Sequence, residues 1–381
     1  MTNLTDYVVR PNDTFFNIAQ AFGVSVRLLR AANPTITDLS SVIGQVIHIP
    51  DTQMRRIIEV NGYAFPDIDS QVLLDTLPYL TYLSIFGYRI KPDGSLAGID
   101  DTALIQTARK AQVAPLMVIT NTNEGGMFSA EVAHDILTDE ALQKTILNNV
   151  VRTLKLKNYY GLNVDFENIY PTDREAYSRF YQAATAILHP LGYTVAASVA
   201  LRLNTGESGI LYDIHEFPTL GRLVNQVIMI VTYEWGQTYG PPMPIAPINE
   251  LRHALDYAVS VIPSQRILMG MTNYGFDWTL PYAPGTAAKM LAFTQAEAIA
   301  ARTGATIRFD ISSQSPYFFY EDDMGINHMV WFDNELSIRA HLELVDAYNL
   351  GGVSFWTINL FSPASYQTLS SLYDVRKVLT L

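Results

Sequence analysis

The chain has 381 residues, 49% of them hydrophobic and only 16% charged, so it carries enough apolar material for a large core and does not have the composition of a disordered protein. Asp and Glu outnumber Lys and Arg by 37 to 25, and the resulting net charge of −12 argues against a nucleic-acid binder, whose affinity comes mostly from neutralising phosphates. No cysteine is present, which removes disulfide frameworks, thiolate metal sites and cysteine nucleophiles together.

The N-terminal stretch Met1 to Arg10 lacks a basic segment followed by an apolar run, so no secretory signal peptide is read there. No run of 18 uninterrupted apolar residues occurs, and membrane insertion is not expected.

In chain order, Tyr7, Val8 and Val9 form the first strand candidate. Asp13 or Thr14 can cap a helix whose apolar positions Phe15, Ile18, Ala19 and Phe22 follow helical spacing. Gly23 ends that helix. Ser25 caps a second one through Val26, Leu29 and Ala32, and Asn33-Pro34 stops it. Val46, Ile47 and Ile49 supply a closing strand. The spaced positions Tyr7-Val8-Val9, Asp13-Thr14, Ile18-Ala19, Asn33-Pro34, Gly44-Gln45 and Ile49-Pro50 resemble a LysM domain, here placed at residues 1–50. Asn12 stands where that family usually has glycine, and asparagine tolerates the left-handed turn conformation. The resemblance implies binding to glycans that contain N-acetylglucosamine, such as peptidoglycan or chitin.

After a short link at residues 51–55, apolar β-rich runs recur at Arg56–Val60, Tyr82–Phe86, Leu116–Thr120, Gly161–Phe166, Thr194–Ala200, Gln226–Thr232, Ile267–Met271 and Val353–Trp356. Most are separated by enough residues for a helix. Continuous apolar runs of this kind are what buried parallel strands require. The expected fold class is therefore α/β, a (β/α)8 TIM barrel over residues 55–381 preceded by a small βααβ domain. The excess length lies between strands seven and eight, where an α+β insertion is expected at about residues 286–335. Thr306 to Phe332 in particular reads as several antiparallel strands.

Barrels of this kind place reactive groups at the C-terminal strand ends. The fourth strand reads Gly161-Leu162-Asn163-Val164-Asp165-Phe166-Glu167. With alternating sides, Leu162, Val164 and Phe166 point to the helices while Asn163, Asp165 and Glu167 point into the barrel. Three inward polar groups are costly unless they bond to one another or do chemistry. Two carboxylates at this spacing suit glycoside hydrolysis, although a helix cap or an ion pair at a loop could also use them. Further candidates follow other strands: Asn121 and Asn123 after the third, Glu234 and Trp235 after the sixth, Tyr274, Asp277 and Trp278 after the seventh. The seven histidines form no zinc motif, and no nucleophile elbow, P-loop or dinucleotide fingerprint occurs, so neither metal nor cofactor is expected.

The stretch Tyr160 to Glu167 resembles the D-x-x-D-x-D-x-E motif of glycoside hydrolase family 18, with Asn163 and Tyr160 standing where that family usually has aspartate. The likeness extends to Tyr233-Glu234 at the sixth strand and to Trp356 on the eighth. Tyr233-Glu234-Trp235-Gly236, Gly240-Pro241-Pro242 and Val330-Trp331-Phe332-Asp333, joined to a LysM domain, resemble the spore cortex-lytic branch of that family. The resemblance implies a retaining, substrate-assisted hydrolase acting on N-acetylglucosaminyl linkages of peptidoglycan. Glu167 would serve as acid and base, Asp165 and Tyr233 would orient the acetamido group, and Trp356 would floor the reacting sugar. Asn163, Glu234, Trp235, Tyr274 and Asp277 would assist binding. A spore or cell-wall location is implied, with no obligate protein partner evident. A chitinase acting on chitooligosaccharides and a non-catalytic lectin are the rival readings. The retained Glu167 speaks against the lectin.

Overall fold

The structure, a computed structural model, describes residues 4–22, 24, 26–50, 55–200, 216–230 and 240–380. The chain divides into two compact units, Met1–Arg56 and Ile57–Leu381.

In the first unit, strands β1 (Leu4–Val8) and β2 (Val46–Pro50) pair antiparallel and enclose helices Phe15–Ala21 and Val26–Ala32. Of the two cap candidates, Thr14 is the one used. Its hydroxyl accepts from Asn17 N–H while the Asn17 side chain accepts from Thr14 N–H, a reciprocal capping box. Gly23 and Ser25 lie outside the described residues. Asn12 adopts φ +72°, the left-handed turn in which asparagine substitutes for glycine. Asn33 explains the end of the second helix. Its buried amide donates to Leu29 O at 2.9 Å and His48 O at 2.6 Å, and its carbonyl accepts from His48 N–H at 2.8 Å, tying the helix to β2. Phe15, Ile18, Leu29, Leu39, Ile47 and Ile49 fill the small core.

The second unit is a closed barrel of eight parallel strands: β3 (Arg56–Ala64), β4 (Tyr82–Arg89), β5 (Ala114–Thr120), β6 (Gly161–Asp165), β7 (Thr194–Ala200), β8 (Gln226–Ile230), β9 (Ile267–Thr272) and, much later, β15 (Gly352–Trp356). Pairing of β15 with β3 closes it, in register Gly352↔Glu59. That closure demands glycine, because a Cβ on Gly352 would sit 1.7 Å from the Glu59 carbonyl oxygen. Outward-facing residues such as Leu162, Val164, Phe166, Val195 and Met269 join the helices in one large core. Inward, Tyr82, Ala114 and Leu116 form one apolar layer, and Tyr63, Val118, Ala196, Ile228 and Leu268 form another.

Between β9 and β15 the chain builds the expected α+β insertion. Strands β10 (Tyr274–Leu280), β11 (Lys289–Ala292), β12 (Arg308–Asp310), β13 (Ser315–Glu321) and β14 (Asn327–Trp331) form an antiparallel sheet in the order β11-β10-β14-β13-β12. Only Asn273 separates β9 from β10, so the chain leaves the barrel and enters the second sheet almost without a loop. One face of this sheet, through Leu291, Phe318 and Val330, packs with helix Phe293–Thr303 in the main core. The other face, carrying Tyr274, Phe276, Trp278 and Trp331, forms an aromatic cluster against which Trp356 packs. No described helix is long and apolar enough to cross a membrane.

Candidate active site

The alternation expected along β6 is realised. Leu162, Val164 and Phe166 face the helical shell, while Asp165 and Glu167 line a cleft at the C-terminal mouth of the barrel. Asp165 is almost fully buried at 3% exposure, whereas Glu167, two residues beyond it and past the end of the strand, is half-buried at the cleft edge. Tyr63, Phe128, Ile228, Met271, Ser354 and Trp356 supply much of the remaining wall, which makes the cleft predominantly apolar around its two carboxylates. Such a setting strengthens electrostatic interactions relative to water.

Trp356 ends β15 and is braced on three sides. Its ring meets Tyr63, Phe65 and Phe86 edge-on, with centroids 5.2, 5.7 and 5.2 Å away. A ring held this way presents a fixed apolar face to whatever enters the cleft.

Beneath Asp165 lies a buried layer without a formal charge. Asn163 Nδ2 donates to Tyr63 Oη at 2.7 Å, and Ser198 Oγ donates to Asn163 Oδ1 at 3.1 Å. With the Ser198 proton so committed, the 2.7 Å contact between Tyr63 and Ser198 has Tyr63 as donor. The three groups thus form a ring with one consistent direction. Ser84 donates to Asn61 Oδ1 at 2.8 Å and Asn61 donates to Ser354 Oγ at 2.9 Å, extending the layer across β3, β4, β6, β7 and β15. Burial pushes the Tyr63 hydroxyl well above its ordinary range, and the charge of Asp165 adds to the shift.

Asn163, expected to assist binding by supporting Asp165 through a hydrogen bond, is fully buried under the cleft floor and serves this layer instead. Among the described residues no hydrogen bond joins it to Asp165. Tyr274 is buried in the aromatic cluster of the insertion. Asp277 is turned to the opposite face of the same sheet, away from Trp278. There it accepts from Tyr320 Oη at 2.6 Å and lies 2.9 Å from His328 Nδ1, while His328 Nε2 approaches Asp322 at 3.5 Å. Its carboxylate therefore belongs to the insertion's own packing. Tyr233, Glu234 and Trp235 lie outside the described residues. Asn123 accepts from Gly125 and Met127 N–H within its own loop. Tyr63, Phe128 and the serines of the neutral layer were not singled out from the sequence. Tyr63 was within reach, since it follows Asn61 by two residues on the inward face of β3.

Two carboxylates on alternate inward positions of a barrel strand, opening into an apolar cleft over a braced tryptophan, define a glycoside hydrolase. The chain belongs to glycosyl hydrolases family 18, which it matches over residues 67–360, and it carries a LysM domain matching residues 7–50. It is 36% identical to the cortical fragment-lytic enzyme of Bacillus anthracis over 79% of this chain and 70% of that protein. It is 34% identical to the Bacillus subtilis (strain 168) enzyme of the same name over 85% of this chain and 76% of that one. The crystal structure of the spore cortex-lytic enzyme SleL of Bacillus megaterium QM B1551 superposes with a TM-score of 0.86 at 33% identity, covering 98% of this chain and 88% of that one.

Proposed function

We propose that this chain cleaves N-acetylglucosaminyl linkages in the peptidoglycan of the spore cortex, with Glu167 as acid and base, and that its LysM domain holds it on that glycan. The observation that carries the reading is the Asp165–Glu167 pair facing Trp356 across the cleft, in a chain whose relatives are named for lysis of cortical fragments.

In the first step Glu167 gives its proton to the glycosidic oxygen as the bond to the anomeric carbon breaks. The carbonyl oxygen of the sugar's own acetamido group closes onto that carbon, giving an oxazolinium intermediate and a free alcohol. Asp165 accepts from the acetamido N–H, which orients the group and offsets the positive charge that develops. In the second step the Glu167 carboxylate takes a proton from water, whose oxygen attacks the same carbon and opens the ring with retention. Trp356 stacks under the sugar. A site in spore or cell wall follows from the glycan rather than from any membrane anchor.

The test compares the wild type with Glu167→Gln on purified cortical fragments and on chitooligosaccharides, with products read by mass spectrometry. Cortical products ending in N-acetylglucosamine, lost by at least about a thousandfold in the variant, are expected. Cleavage of chitooligosaccharides alone would transfer the substrate to chitin. Binding to both with no product from either would make the chain a lectin.

A further inference from the structure

We infer that Asn121 is a positioning residue for Glu167, setting the main chain from which the proton donor projects; this deepens the proposal above and rests on Glu167 being the acid. Pairing between β5 and β6 stops at Thr120↔Asp165, one residue short of Asn121 and two short of Glu167. Beyond that point the ladder is continued by a side chain. Asn121 Oδ1 accepts from Glu167 N–H at 2.9 Å, and Asn121 Nδ2 donates to Glu167 O at 2.7 Å. This is the two-bond exchange of an antiparallel pair, made here by one side-chain amide, whereas a parallel neighbour's main chain would divide the two bonds between two residues.

The second Nδ2 hydrogen is also used, donating to Ser129 O at 2.9 Å, while Ser129 N–H donates to Asn121 O at 3.1 Å. Ser129 caps helix Ala130–Thr138, so Asn121 ties Glu167 to a rigid helix start as well as to the barrel. The chain turns sharply just after Glu167, where Asn168 takes φ +54° and donates to Phe128 O at 3.3 Å. Phe128 lines the cleft. Asn121 itself is fully buried, does not line the cleft and is placed to touch no substrate. Its effect reaches the chemistry only through the backbone of Glu167.

Removing the clamp frees the Glu167 peptide to rotate, and a misplacement of about 1 Å at a reacting group costs on the order of 100-fold. The loss falls on proton donation, and that gives the test its specificity. The probes are two N-acetylchitobiosides that differ only in the leaving group, an alkyl alcohol that must be protonated to depart and dinitrophenol that need not be. Asn121→Ala is expected to lower kcat/KM on the alkyl glycoside by about 30- to 100-fold with KM nearly unchanged, and on the dinitrophenyl glycoside by less than about 5-fold. Both rates are taken on one preparation, so the folded fraction cancels in their ratio. Asn121→Ser serves if the alanine variant does not fold. An equal loss on both glycosides, or none on the alkyl one, overturns the inference. Glu167→Gln run beside it separates the two failures. If that variant shows no dependence on the leaving group, the assignment of Glu167 as acid falls. If it does and the Asn121 variants do not, only the positioning role falls.

Discussion

The layer beneath Asp165 is neutral because asparagine stands at position 163, and replacing it tests what that neutrality does. Asn163→Asp keeps the shape and removes the donor that serves Tyr63 Oη at 2.7 Å. It also puts a second carboxyl on the same face of β6, two residues below Asp165. At about 3.3 Å rise per residue the separation is about 6.6 Å. Two unit charges at that distance repel by about 2.5 kcal/mol at an effective dielectric constant of about 20, or about 1.8 pH units. The added charge opposes ionisation of the carboxylates above it, so the acid limb of kcat/KM moves upward by about 1–2 pH units. The assay is kcat/KM on a soluble oligosaccharide from about pH 4 to pH 9 for wild type, Asn163→Asp and the uncharged control Asn163→Ser. Folding stability should move with it. A carboxyl whose folded value is raised by burial binds its proton more tightly in the native state, so stability falls as pH rises from the ordinary carboxylate range through the raised value. Superimposable limbs in wild type and Asn163→Asp, with the control unchanged, would refute the reasoning.

Deleting residues 1–50 removes a small domain with its own core and leaves β3 whole, so binding to insoluble cortex should fall at least about tenfold while hydrolysis of soluble oligosaccharides stays within about twofold. Sedimentation with cortex and a soluble-substrate assay on the same sample check this. Asp277→Asn breaks contacts to Tyr320 and His328 on the far face of the insertion sheet. A loss of roughly 1–3 kcal/mol in stability is expected by urea unfolding, with KM within about twofold; a large rise in KM would return Asp277 to the cleft. Elsewhere in the barrel the fully buried Asp101 accepts from Tyr88, from Tyr159 at 2.5 Å and from Lys157 at 2.5 Å. Burial, with the bond to Asp101, pushes the Tyr88 hydroxyl up to about 12. A raised value means stability present below about pH 10 and lost toward pH 12, by roughly 2–3 kcal/mol. Urea midpoints at pH 9 and 12 should show that loss in the wild type and a smaller one in Tyr88→Phe.

Much of this architecture was legible because barrel strands are buried on both faces, which forces continuous apolar runs that few other elements produce. All eight runs overlap barrel strands among the described residues, and the inward direction of Asp165 followed from parity alone. The same rule explains the failure at Asp277. Read as loop residues after the seventh strand, Tyr274 and Asp277 were both assigned to the cleft. They are instead in one strand, β10, and residues three apart in a strand must face opposite ways. What hid β10 was the single residue that separates it from β9. The neutral layer was hidden for another reason: Asn61, Ser84, Ser198 and Ser354 are each unremarkable in sequence, and only the closed barrel brings them together.

The two asparagines at the site act by a common device. At Asn163 a planar group that both donates and accepts closes a directed ring with Tyr63 and Ser198, so the Tyr63 proton is spent on Ser198 and not offered upward to Asp165. At Asn121 the same dual capacity reproduces a strand edge and holds both polar groups of the Glu167 peptide. Aspartate at either position would lack the donor and bring a charge that buried surroundings oppose. One asparagine thus keeps the layer under Asp165 uncharged, and the other holds the main chain of Glu167. The cleft can then be largely apolar around its two carboxylates, with an uncharged layer beneath Asp165 and the Glu167 main chain held from behind by Asn121.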